Sequence, residues 1–180
     1  QPYSCGDELL LPALGVAESL LCNSEQGLAN ITVNITDCSG KSRVEAVEVT
    51  QTIASETCSL GKTDSQGGLK SKISPAYGNK VGLFKNGYLS KFIAEDFEIG
   101  DNKEYKTQID QFHTVNVTVQ KLFLSPTVPP KPIKLDKVDR VIATLERVGN
   151  GLEGDHTAVF EFDGNKSNEV SIQLAPGKYN

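Results

Sequence analysis

From Leu28 onward, apolar and polar residues alternate along short runs that are broken by turn-forming residues. In one run Ile31, Val33 and Ile35 fall on one side, and Asn30, Thr32, Asn34 and Thr36 on the other. Successive side chains of a strand point to opposite faces, so this run predicts a strand with one buried and one solvated face. Val115-Asn116-Val117-Thr118-Val119 repeats the arrangement. Strands are predicted over 28–36, 44–53, 68–74, 79–85, 88–94 and 104–111, and a second series over 114–124, 133–135, 138–148, 157–162 and 168–174. Between them lie Asp37-Cys38-Ser39-Gly40, Asp64-Ser65-Gln66-Gly67-Gly68, Ser74-Pro75-Ala76-Tyr77-Gly78, Asn86-Gly87 and Gly100-Asp101-Asn102. Gly, Asn and Asp supply the backbone angles of tight turns, and Asn-Gly is a two-residue hairpin signal. Short strands at this spacing predict sandwiches rather than βαβ units.

Three segments follow from the pattern. Residues 1–26 form an N-terminal arm. Leu10, Leu14, Ala17 and Leu21 recur at helical spacing there, although Pro12 and Gly15 also suit an irregular or extended arm. Residues 27–112 form a first β-sandwich. Residues 113–180 form a second sandwich that looks incomplete at its C-terminal side, since Ala175-Pro176-Gly177-Lys178-Tyr179-Asn180 reads as a turn leading into a strand. The proline-rich stretch 125–132 is expected to be a loop within this second domain, because proline gives no N–H to a central sheet. The fold class is therefore all-β: two Ig-like sandwiches in tandem behind a short, helical or irregular arm.

Composition narrows the role. The 180 residues carry a formal net charge of −5, which argues against a nucleic-acid partner and against docking on anionic lipid. No apolar run approaches the ~20 residues that span a bilayer; Leu9-Leu10-Leu11 is cut by Pro12. The chain starts at Gln1, read here as a mature end left by signal-peptide removal. Secretion or cell-surface display is the expected location.

Two sets of residues support that location. Asn30, Asn34, Asn116 and Asn165 each open an Asn-x-Ser/Thr sequon, three of them on the polar side of a predicted strand, so all four are candidate glycosylation sites. Cys5, Cys22, Cys38 and Cys58 make an even count, which favours disulfides in a secreted chain. Three connectivities are open. Cys5–Cys22 with Cys38–Cys58 is the preferred one.

Catalytic chemistry finds little purchase. There is no Gly-x-Ser-x-Gly elbow and no phosphate-cradling glycine motif. The two histidines, His113 and His156, read as loop or junction residues. No metal or other cofactor is expected. Glu95, Asp96, Glu98, Asp101 and Glu104 gather hard oxygen ligands of the kind calcium takes, but solvated carboxylates explain them as well.

Val44-Glu45-Ala46-Val47-Glu48-Val49, then Lys62-Thr63-Asp64-Ser65-Gln66-Gly67, then Val81 to Lys85 with Asn86-Gly87-Tyr88 resemble the strand, turn and ending of carboxypeptidase-regulatory-like domains, a transthyretin-like sandwich group. Ala46-Val47 stand where that family commonly has Gly-Ala. Val170 to Tyr179 resembles the family's closing segment. The resemblance implies structural motifs, with a scaffold, adhesion or accessory role and no active site. The leading expectation is a non-catalytic structural or adhesive surface protein, one form of which is a filament subunit whose arm completes a neighbour's sheet by strand addition. The alternative is a carbohydrate- or protein-binding accessory module of a larger secreted enzyme or receptor.

Overall fold

The structure, a computed structural model, describes residues 27–148, 156–165 and 169–180. The expected arm at 1–26, with its helix and its Cys5–Cys22 bridge, lies outside the described residues. Those residues contain strands and turns and no helix.

Seven strands build the first region: β1 (Ala29–Asp37), β2 (Glu48–Ile53), β3 (Glu56–Lys62), β4 (Gly68–Ile73), β5 (Ala76–Phe84), β6 (Lys91–Phe97) and β7 (Asn102–Ile109). They form two sheets, of order β4-β1-β7 and β3-β2-β5-β6. β1 is antiparallel to β4 and parallel to β7. Between the sheets Ile31, Val33, Ile35, Val47, Val49, Ile73, Val81, Leu83, Phe97 and Ile109 make one buried cluster. Each strand contributes alternate residues to it, as the pattern along β1 required.

Two differences from the expected strands have a local cause. The strand expected over 44–53 begins only at Glu48, because Ala46 takes a positive φ of 55°. That angle favours glycine, which is the residue the resembling family carries at this point. The second is β3, which falls between the expected strands 44–53 and 68–74. Its residues Glu-Thr-Cys-Ser-Leu-Gly-Lys are exposed or half-buried except for Leu60, the one buried side chain. An edge strand of this kind carries little hydrophobic signal. The turn that leads into it uses Ala54 at φ 53° rather than a glycine or asparagine.

Turns lock the two sheets together. Asp64 Oδ1 accepts from the backbone N–H of Gln66 (2.8 Å) and of Gly68 (2.9 Å). Thr63 Oγ1 donates to Val44 O and accepts from Val47 N–H, both at 2.9 Å. Gly67 sits at φ 70°, and a Cβ there would lie 2.4 Å from the Ile35 carbonyl. Inside the core the Gln51 amide donates to Ser74 O (2.7 Å) and Asn79 Oδ1 (2.9 Å), and accepts from Ser74 N–H (3.1 Å). These bonds satisfy the backbone where β4 crosses to β5.

The second region holds β8 (His113–Thr118), β9 (Lys121–Phe123), β10 (Lys131–Ile133), β11 (Arg140–Glu146), β12 (Thr157–Asp163) and β13 (Glu169–Leu174). The expected 114–124 strand is interrupted at Val119-Gln120. Among the described residues the strands pair only two by two: β8 with β13, β9 with β10, β11 with β12. The proline-rich stretch links β9 to β10 and places Pro132 opposite Leu122 in that short ladder. Phe160, Phe162 and Ala175 are the buried hydrophobic residues here.

Arg147 joins the regions. Its Nε donates to Pro176 O (3.0 Å), and its guanidinium faces Asp110 at 3.5 Å. His156 lies against Phe112, ring centroids 4.7 Å apart, with Tyr179 beyond at 6.2 Å.

Candidate functional site: a polar, cation-bearing groove

The parallel pairing of β1 with β7 sets Asn34 beside Lys106 and Thr36 beside Gln108 on the outer face of the three-stranded sheet. Just beyond β1 the chain folds back in the Asp37–Ser42 turn. Asp37 Oδ1 accepts from Ser39 Oγ (2.6 Å) and Ser42 N–H (3.3 Å), and Gly40 N–H bonds Asp37 O (2.9 Å). The Ser39 hydroxyl, with Ser42 after it, holds the Asp37 carboxyl below its ordinary 3.8. The returning chain makes an isolated bridge between Arg43 and Thr36. From the other sheet, Lys91 reaches across and donates to Gln108 O at 3.0 Å.

These pieces enclose a groove of about 450 Å³ lined by Asn34, Thr36, Gly40, Lys41, Arg43, Lys91, Lys106, Thr107 and Gln108. Four of the nine carry positive charge and none is a carboxylate or an aromatic. Gly40 matters here, since a Cβ would press on the Gln108 amide at 3.1 Å from a φ of 70°. Lys106 is shared with Glu104 at 3.6 Å. Lys41 and Arg43 are exposed and make no ion pair among the described residues. The groove therefore offers amide and hydroxyl groups on its floor and free cations on its rim. Such a surface takes anionic groups and hydroxyls; it has no flat ring on which a sugar face could stack.

Asn30, Asn34 and Asn116 lie on the outer faces of their strands and Asn165 in a turn, and their environments differ. Asn30 is exposed and donates to Asn102 Oδ1 (2.8 Å). Asn34 is half-buried in the groove and donates to Glu104 Oε1 (3.1 Å). Asn116 is exposed on β8 and accepts from Ser171 Oγ (2.7 Å). Asn165 is exposed in the turn after β12, its N–H on Asp163 Oδ1 (2.9 Å).

The preferred Cys38–Cys58 bridge is not formed. Cys38 is a free, exposed thiol, whereas Cys58 is disulfide-bonded to a partner outside the described residues. Position explains this. Cys38 follows Asp37 at one end of β1. Cys58 lies near the other end, where Ala29 pairs with Ile73. Eight residues of strand separate those ends, about 26 Å at 3.3 Å per residue, far beyond the ~7 Å between Cα atoms that a disulfide spans.

The acidic cluster is held by protein groups. Glu95 and Asp101 flank Lys103 Nζ at 2.8 and 3.6 Å. Asp96 Oδ1 accepts from Gly78 N–H, and Asp101 Oδ2 from Glu98 N–H (2.9 Å). Among the described residues no group of three or more His, Cys, Asp or Glu side chains is placed to hold a metal ion. His156 meets Gln173 O at 3.0 Å, and His113 is exposed at the start of β8.

Lys41, Arg43, Lys91 and Lys106 escaped the sequence reading. Lys41 and Arg43 flank a visible turn, but their meeting with Lys106 depends on a parallel pairing across about seventy residues, for which no local pattern exists.

No family model and no curated protein matches the chain. Two solved structures to which the chain is similar illustrate how distant such likenesses are. One is a "putative carbohydrate binding protein" from Bacteroides uniformis, 7% identical, TM-score 0.39, over 76% of this chain and 80% of that one. The other is a DUF3823 family protein from Parabacteroides merdae, 9% identical, TM-score 0.37, over 83% and 81%. Likenesses this distant transfer no role.

Proposed function

We propose that the chain is a non-catalytic, extracellular binding module. Its groove between β1, β7 and the Asp37–Ser42 turn holds an acidic, hydroxyl-rich ligand, namely an oligosaccharide bearing carboxylate or sulfate groups. One observation carries this reading. A chain of net charge −5 gathers four cations and no carboxylate around a concave polar surface, and among the described residues Lys41 and Arg43 have no ion-pair partner. Arg43 presents a planar fork suited to carboxylate or sulfate, and Lys41 a mobile point charge. Binding should weaken with salt, since both charges are exposed.

Asn34 adds a condition. An N-glycan attached there would fill the groove, so ligand binding and modification of Asn34 exclude each other. Glycans on Asn30, Asn116 and Asn165 do not carry this conflict.

Titration calorimetry with a sulfated or uronic-acid oligosaccharide, against a neutral one of equal length, tests the reading. Saturable binding of the acidic sugar alone is expected. Lys41→Ala with Arg43→Ala should weaken it roughly tenfold per charged hydrogen bond lost. Equal binding of both sugars, or none of either, would overturn it.

A second reading, strand addition in an adhesive or filament role, is favoured by the two-by-two pairing of β8–β13. Among the described residues these strands leave sheet edges open. Light scattering across a concentration series tests it: growth of the particle mass supports it, and a constant monomer mass removes it.

A further inference from the structure

The groove is one end of a longer polar face. On β1 the outward residues are Asn30, Thr32, Asn34 and Thr36. Residues level with one another across a ladder share a face, so the pairings set four rows. Lys72 and Asn102 flank Asn30, Lys70 and Glu104 flank Thr32, and Gly68 and Lys106 flank Asn34. In the last row Arg43 and Gln108 flank Thr36. Each row carries one cation: Lys72, Lys70, Lys106 and then Arg43. Neighbouring rows stand two residues apart, about 7 Å, and the four extend over about 20 Å.

Lys70 and Lys72 are exposed, and among the described residues neither makes an ion pair. Two carboxylates stand beside these rows, and both are held by protein donors. Asp64 Oδ1 accepts from the N–H of Gln66 and Gly68 at 2.8 and 2.9 Å. Glu104 Oε1 accepts from Asn34 Nδ2 at 3.1 Å and faces Lys106 Nζ at 3.6 Å. Between the cations lie the Asn30 and Asn102 amides, 2.8 Å apart, and the Thr32 and Thr36 hydroxyls. None of the residues in the four rows is aromatic. Gly68 leaves the way from the groove to Lys70 clear, since a Cβ placed there would meet nothing closer than 3.5 Å.

We infer that the ligand is a linear polymer of anionic sugars, which enters the groove at Arg43 and runs along β1 to Lys72. The inference rests on the acidic-sugar reading above, and adds Lys70 and Lys72 as subsites outside the groove. Cations at a regular step match an anion that repeats along a chain. The amides and hydroxyls between them suit sugar hydroxyls. A single nucleic-acid strand grips largely through bases stacked on aromatic rings, and this face has none. A glycan on Asn30 would stand on the track while leaving the groove free.

The test is calorimetry on the full chain, made in a host that forms disulfides and adds no N-glycan. It compares a disaccharide with an octasaccharide cut from the same sulfated polymer. The track predicts that the octasaccharide binds roughly tenfold tighter or more. Lys70→Gln with Lys72→Gln should lose most of that gain and flatten its salt dependence, with the disaccharide's affinity unchanged. Both lysines are on the surface, so the variant is expected to fold, and its far-UV spectrum checks this. Should it not fold, the comparison of lengths on the wild type still decides. Equal affinity for the two lengths, or a folded variant that binds as the wild type does, overturns the track and leaves the groove standing. Binding of neither sugar removes the groove reading and the track with it. A single-stranded oligonucleotide of equal charge that binds as tightly as the octasaccharide overturns the choice of a sugar.

Discussion

Along β1, Ala29, Ile31, Val33 and Ile35 are each no more than 1% exposed; along β11, the inward Val141, Ala143 and Leu145 are only half-buried. Both strands alternate cleanly. The difference lies in their neighbours. β1 has a strand on either side and a four-stranded sheet across from it. β11 has β12 alone. Across residues 27–112, fourteen hydrophobic residues are buried and three large ones exposed; in the described part of 113–180 the figures are three and ten. Alternation makes a strand, but burial comes from how many elements surround it. The closed region is thus the rigid scaffold on which a groove keeps its shape. The open one has surface to offer a partner.

The largest expected effect is in the closed core. Leu83→Ala should destabilise residues 27–112 by about 2–5 kcal/mol in urea unfolding. Ile142→Ala, on the exposed face of β11, should change stability by less than about 0.5 kcal/mol. Equal losses would erase the distinction.

Next comes a pair of turn glycines, one from each region. At Gly67 an added Cβ meets the backbone of Ile35, whereas at Gly177 it meets the Arg147 side chain at 2.8 Å. Backbone cannot yield as a side chain does. Gly67→Ala should cost about 2 kcal/mol or more, and Gly177→Ala about 1. Thermal unfolding of the two variants gives the order, and a reversed order would refute the closeness of the first turn.

A smaller effect is set by pH. Lys121 bonds Asp139 Oδ2 at 2.7 Å and holds its carboxyl below 3.8. A carboxyl lowered in the folded state stabilises it above the unfolded pKa, and that contribution is lost as pH falls through the folded one. The second region should therefore loosen below about pH 4, and Asp139→Asn should lose that part of the acid response. Circular dichroism across pH 2–6 compares them. The smallest change concerns solubility: Ile142→Thr with Val159→Thr should lower binding of a hydrophobic dye without shifting the melting temperature.

β1, β4 and β7 were legible because they carry period-two patterns between clear turns, whereas β5 starts at Ala76 inside the expected Ser74–Gly78 turn and β6 runs three residues later than expected. Thr63-Asp64 and Gly67 were legible as a turn for the same reason. β3 was hidden, since an edge strand whose side chains mostly face solvent looks like a loop. The Cys38–Cys58 pairing failed because sequence distance says nothing about which end of a strand a cysteine occupies. The groove was invisible for a related reason. Its cations come from a turn, from β6 and from β7, and only the fold brings them together.

The contrast between the regions is tested most directly by hydrogen exchange of the full chain, followed peptide by peptide. Amides of β1, β2, β5 and β7 should exchange only through global opening, and those of β8–β13 orders of magnitude faster, through local opening. Equal, high protection in both regions would contradict the account. It would mean that residues 113–180 close as tightly as the sandwich before them.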